Sequence, residues 1–146
     1  MVVAPSDAQS ITPSSEKSDP KETQDPVPVD NSYQIKPSLE VKFKEIPVKE
    51  IIRNVVSSLL TGKVYEPENV KKWTIAIANE INDKVKDLEM KRYKHIVQVI
   101  LGEKKGAGVK SGVRCLWDSD VDSFTSEIFM NDTIFCVTTV FAVYLY

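Results

Sequence analysis

The sequence predicts an α+β fold, with two helices packed on one face of a four-stranded antiparallel sheet. Two stretches, 47–60 and 66–88, repeat apolar residues at spacings of three and four, the period of an amphipathic helix. The last third of the chain, 93–146, holds four apolar runs rich in Val, Ile, Phe, Thr and Cys, broken at Gly, Lys, Asp and Asn. That is the composition of strands and turns. Helices first and strands afterwards, without alternation, separate this arrangement from a parallel α/β one.

The chain opens on a segment of different character. Of 146 residues and eight prolines, the first thirty residues take Pro5, Pro13, Pro20, Pro26 and Pro28, and no aromatic residue. Asp7, Glu16, Asp19, Glu22, Asp25 and Asp30 outnumber Lys17 and Lys21 there. Such a segment buries too little apolar surface to offset its ordering entropy, so 1–31 is expected to be a disordered or extended tail and 32–146 the domain. The first residues lack the basic and apolar regions of a secretory signal. Within 33–43, Tyr33 and Ile35 share one parity and Leu39, Val41 and Phe43 another, but Pro37 confines any strand to a short or edge one.

In the first helix Pro47 suits the opening turn, where no backbone donor is needed. Val48, Ile51, Ile52, Val55, Val56, Leu59 and Leu60 form the apolar stripe, and Gly62 stops it. The second helix opens at Glu66-Pro67-Glu68, with acids at the positive end of the dipole. Its stripe is Val70, Trp73, Ile77, Ile81, Val85 and Leu88, and Lys84, Lys86, Lys91 and Arg92 gather near its other end. The run 93–101 is apolar on both parities and is expected to be central and covered. The run 112–118 places Val113, Cys115 and Trp117 on one face and Arg114, Leu116 and Asp118 on the other. The run 123–130 groups Phe124, Ile128 and Met130, Asn131-Asp132 reads as a two-residue hairpin turn of positive φ, and 133–145 closes a meander.

Several chemistries are excluded. A net charge of −2 offers no basic footprint for nucleic acid. No apolar run approaches the ~20 residues of a membrane span. The single histidine, His95, rules out a multi-histidine metal site and reads as a strand histidine. Residues 102–111 imitate a phosphate loop, but the glycine spacing fails and a strand, not a helix, follows. Asp118, Asp120 and Asp122 begin like a calcium loop that lacks its sixth-position Gly and twelfth-position Glu. Asn131-Asp132-Thr133 matches a glycosylation sequon but is explained by the turn. Cys115 and Cys136 are expected to be buried, reduced thiols. No catalytic, cofactor or metal residue emerges.

What remains is a surplus of apolar strand. Val113, Cys115, Trp117, Phe124, Ile128, Phe129, Phe135, Phe141 and Tyr144 exceed what two short helices can hide. An uncovered apolar face marks an interface, and an unpaired strand edge invites strand addition. The sequence is therefore expected to be a non-enzymatic module that dimerises through its sheet and accepts extended peptides.

Tyr93-Lys94-His95-Ile96-Val97, Gly106-Ala107-Gly108, Cys115-Leu116-Trp117-Asp118 and Asn131-Asp132-Thr133-Ile134-Phe135-Cys136 resemble the Tctex-type dynein light chains in order and spacing, over about 110 residues from Tyr33 onward. Tyr33 to Pro37, Arg92 to Lys94 and Phe129 to Asp132 look most like the second, ciliary branch of that family. The resemblance implies a dimer in which one strand is exchanged between protomers, no cofactor, and dynein intermediate chains held as extended segments at the dimer edges. By position in the family pattern, Gly112, Val113, Arg114, Cys115, Leu116, Trp117 and Asp118 form the exchanged strand and peptide-binding edge, with Phe124 beside them. Leu116 departs from the Phe of many members. The partner implied is an intermediate chain together with another Tctex-type light chain, as a heterodimer, or a second copy, within a dynein complex on microtubules in the cytoplasm or the axoneme of a cilium or flagellum. The expected function is a non-catalytic light chain of an axonemal arm dynein. The alternatives are an intraflagellar-transport dynein light chain or a dynein-independent peptide-binding adaptor.

Overall fold

A computed structural model describes residues 37–38, 41–106 and 108–146. The expected tail, the expected boundary at residue 32 and most of 33–43 lie outside the described residues.

Helix α1 runs Glu45–Leu60 and α2 Pro67–Lys86, followed by strands β1 Tyr93–Glu103, β2 Ser123–Met130 and β3 Ile134–Tyr144. The apolar stripes do the packing. Val48, Ile52, Val55, Val56 and Leu60 of α1, and Ile77, Ile81 and Val85 of α2, are buried. Gly62, at φ 74°, takes the left-handed turn that ends α1. Pro67 occupies the first turn of α2, where its missing N–H costs nothing. The second helix stops at Lys86, so Leu88, Lys91 and Arg92 belong to the connection. Lys84 and Lys86 serve the last turn and pair with Glu80 and Asp83.

Both helices lie on one face of an antiparallel sheet, α2 over β1 and α1 over β2, as an α+β fold requires. The details of the sheet differ from expectation. Among the described residues three strands pair, in the order β1-β3-β2, so the connection is not a meander. The final strand, β3, is the central one, and β1 is an edge. Both have runs of Val and Ile on either parity, but the alternating burial of β1 exposes Lys94, Ile96, Gln98 and Ile100. Apolarity on both faces reported two surfaces to be covered, and among the described residues helices cover one of them. Residues 112–118 form no strand here, because every strand position next to β3 is already taken. Residues 41–43 form none either, although Phe43 is buried against Tyr93.

The turn before β3 also departs from the expected chemistry. Asn131 N–H donates to the Ile134 carbonyl at 3.0 Å, so Asp132 and Thr133 are the turn's centre. The only non-glycine residues of positive φ among those described are Glu89 and Arg92. Asn131 acts through its side chain instead: Oδ1 accepts from Thr133 N–H at 2.9 Å and Ile134 N–H at 2.7 Å. Its Nδ2 donates to the Lys63 carbonyl at 2.9 Å, tying the β2–β3 turn to the loop between the helices.

The core lies between helices and sheet, with Ile134, Cys136, Thr138, Val140 and Ala142 of β3 all buried. Cys136 is a free, buried thiol that burial pushes upward in pKa, partly offset by its hydrogen bond with Thr138. Cys115 is free but only half-buried, because the segment carrying it is outside the sheet.

Candidate apolar sheet face and its overlying segment

The opposite face of the sheet is built by alternation. Residues of odd number in β3 and even number in β1 and β2 share it, since Phe141 stands opposite Ile96 and Phe124, and Val137 opposite Ile100 and Ile128. Phe135 stands opposite Gly102 and Met130. No helix among the described residues covers this face. Phe124 is 43% exposed, Ile96 52%, Met130 64% and Ile128 65%. Gly102 lies on the same face, and a Cβ there would overlap the Phe135 ring, whose Cζ and Cε1 lie nearest.

The segment after β1 passes over this face. β1 ends at Glu103, and no helix follows before β2, so 102–111 lacks the helix N-terminus that a phosphate loop needs. Gly108, Val109, Ser111, Gly112 and Val113 face Phe124, Ile128 and Val137 across an apolar cleft of about 570 Å³. The segment touches down at Trp117. Its ring centroid lies 6.0 Å from that of Phe124 and 6.3 Å, edge-on, from that of Phe141, and the two phenylalanines are themselves 6.0 Å apart.

The predicted residues divide accordingly. Trp117 and Phe124 are brought together, and Gly112 and Val113 line the cleft. Arg114 points to solvent, Cys115 is half-buried and Leu116 is fully exposed at 101%. Asp118 anchors the end of the segment. Its Oδ1 accepts from Asp120 N–H at 3.0 Å and its Oδ2 from the Tyr146 hydroxyl at 2.8 Å. Asp122 Oδ1 accepts from Tyr144 N–H at 2.8 Å, so two acids of the failed calcium pattern are acceptors for the chain's own backbone. Phe129 and Tyr144 turn inward, and Ile96, Ile100 and Met130 join the outer face. Strict period-two parity, applied to 93–101, is the signal that would have found the two isoleucines.

The edge of β2 away from β3 is the second notable feature. Among the described residues it pairs with no strand. Glu127, on this strand, is held by Arg53 at 3.1 Å and Lys49 at 3.5 Å from α1, and Ser123 donates to Glu45 at 2.8 Å. These contacts fix β2 beside α1, with a groove between Arg53, Ser57, Ile128 and Met130. The one histidine, His95, faces the helices with its Nε2 buried and unpartnered, and burial lowers its pKa. Among the described residues no cluster of three His, Cys, Asp or Glu side chains could hold a metal ion, and no helix is long and apolar enough to cross a membrane.

Comparison with known proteins gives a consistent result. The family model described as the Tctex-1 family matches residues 42–143. Dynein light chain Tctex-type protein 2B of Danio rerio is 46% identical over 116 residues, covering 80% of this chain and 77% of that protein. The Homo sapiens protein of the same name is 38% identical over 117 residues, covering 80% and 82%. Dynein light chain Tctex-type 5 of Homo sapiens is 40% identical over 119 residues, covering 82% and 65%.

Proposed function

The chain belongs to the Tctex-1 family of dynein light chains, and from that premise we propose that it is a non-catalytic light chain of a ciliary dynein, in an axonemal arm. In this role it dimerises with a second Tctex-type chain through the outer sheet face and holds extended intermediate-chain segments. Residues 112–118 leave their position over the face and pair with the open edge of the partner's β2. Their own outer edge then offers main-chain N–H and C=O groups to a peptide. Two such grooves on one dimer raise the effective concentration of the second intermediate chain for its site.

The observation that carries this reading is the apolar face that no helix among the described residues covers. A contiguous run of Phe, Val, Ile and Met side chains in water signals a missing partner. The unpaired edge of β2 and a neighbouring segment with no strand partner of its own supply the means of exchange.

The test uses the full chain with an intermediate-chain segment. Sedimentation reads the dimer, and co-purification from cilia reads the complex. Val113→Arg places a charge in the cleft, and Cys115→Pro removes a ladder donor. Each is expected to abolish dimerisation or intermediate-chain binding while the circular dichroism spectrum is retained. Normal co-purification of both variants would overturn the reading.

A further inference from the structure

The outer face is not uniformly apolar. One rung across it is polar: Gln98 of β1 stands opposite Thr139 of β3, which stands opposite Ser126 of β2. The rungs on either side, Ile96–Phe141–Phe124 and Ile100–Val137–Ile128, are wholly apolar. The position is central. Gln98 and Thr139 are each the sixth residue of an 11-residue strand. Thr139 is buried at 4% exposure, and its hydroxyl donates to Ser126 Oγ at 3.2 Å. That bond leaves the Ser126 proton, the Thr139 lone pairs and the Gln98 amide for groups outside the rung.

A surface selected only for apolar burial would not place three hydrogen-bonding side chains at its centre. Under a covering partner Gln98 and Ser126 lose the water that Thr139 has already lost, and each one left unmatched weakens the complex. Hydroxyl and amide groups carry both donor and acceptor, so they can satisfy like groups across a two-fold axis, which like charges cannot. A slip of two residues along the strands would set the rung against Phe and Val, so the rung also fixes register.

We propose that the Gln98–Thr139–Ser126 rung selects the dimer partner: it matches a second sheet of this fold with hydrogen-bonding side chains at its centre, as a second copy of this chain supplies. The inference rests on the dimer reading above and names what that dimer discriminates. Polar matching at the centre chooses the mate and sets the register, while the flanking Phe, Ile and Val side chains supply most of the affinity.

The test is co-expression of the full-length chain with its Ser126→Ala/Thr139→Val double variant under distinguishable tags, with dimer populations read by native mass spectrometry. Mixed dimers are expected at about fivefold or more below the statistical share, because only they set buried hydroxyls against methyl groups. Both self-paired dimers are expected to form. Gln98→Leu, at an exposed position that the fold of the single chain does not need, is the second variant and is expected to show a smaller bias of the same sign. Statistical mixing of wild type with both variants overturns the inference and leaves the dimer reading standing. So does a folded double variant that no longer pairs with itself. A wild-type chain that remains monomeric overturns the inference, and it overturns the dimer reading as well if the chain also fails to pair with another Tctex-type light chain.

Discussion

The two faces of this sheet are made of the same kinds of residue and have opposite fates. On one face Ile134, Cys136, Val140 and Ala142 meet Ile52, Val55, Ile77 and Ile81 and are closed from water. On the other, among the described residues, Phe124, Ile128, Phe135, Val137 and Phe141 meet the segment 108–117 and a cleft of about 570 Å³. Hydrophobic burial is non-directional, so composition alone cannot tell the two apart. The difference lies in what the rest of the chain supplies. Among the described residues two helices supply one covering layer and nothing supplies a second, which in the proposed dimer comes from another chain.

The comparison is broken most severely from inside. Ile52→Ala, at a residue of 0% exposure, removes buried methyl groups and leaves a cavity in the core. It is expected to cost about 2–5 kcal/mol, a large part of the stability of a domain this size, read as a lowered urea midpoint. The matched change outside, Ile128→Ala, is expected to move the single chain by no more than ~0.5 kcal/mol and to weaken the dimer instead. If both variants shift the unfolding midpoint equally under conditions where the chain is monomeric, the two faces are equally closed from water within the single chain.

How much of this was legible in the sequence follows from the same contrast. The helices were readable because period and terminators agree: Pro67 opens one and Gly62 closes the other. The α+β class and the surplus of apolar strand were readable for the same reason. Strand order was not. Alternation tells which side chains share a face, but pairing partners are set by long-range contacts, so 93–101 was expected at the centre where β3 stands. Residues 112–118 read as a strand because Val113, Cys115 and Trp117 alternate with Arg114, Leu116 and Asp118. The pattern is real, and Cys115 and Trp117 are indeed less exposed than Leu116. What a lone chain lacks is a free strand position for them beside β3. The polar rung was invisible for another reason: Gln98, Ser126 and Thr139 are unremarkable separately and become a feature only once the register aligns them.

Gly102 sharpens the contrast at intermediate size. It lies on the outer face, yet Phe135 has already filled the space above it. Gly102→Val is expected to cost about 1–3 kcal/mol by forcing that ring out of place. Phe135→Ala in the same background is expected to recover much of the loss, a non-additivity that a double-mutant cycle reads directly. Additive costs would show that the ring is not what excludes a side chain there. A comparable loss is expected at the rim of the inner face. Asn131→Ala removes the two turn bonds to Thr133 and Ile134 and the tie to Lys63, for about 1–2 kcal/mol. Asn131→Asp keeps the acceptors of the turn and loses only the Nδ2 donor to the Lys63 and Leu60 carbonyls, so its cost should be the smaller of the two.

The smallest expected effect separates the faces by their access to protons. His95 lies on the helix-covered side, where burial holds its pKa below the ordinary histidine value and leaves Nε2 without a partner. The unfolded chain binds a proton near pH 6.5 and the folded chain only at lower pH. Stability from the neutral ring is therefore complete above the unfolded value and declines as pH falls through it toward the folded one. The ring is only partly buried, so solvent screens the effect and the slope should be shallow. Urea midpoints of wild type between pH 8 and 5 are expected to drift downward at the acid end, and those of His95→Phe to drift less. Identical profiles would mean that the proton reaches Nε2 in the folded state as easily as in the unfolded one, and that the inner face is less tightly closed at β1, its edge strand, than it is along β3.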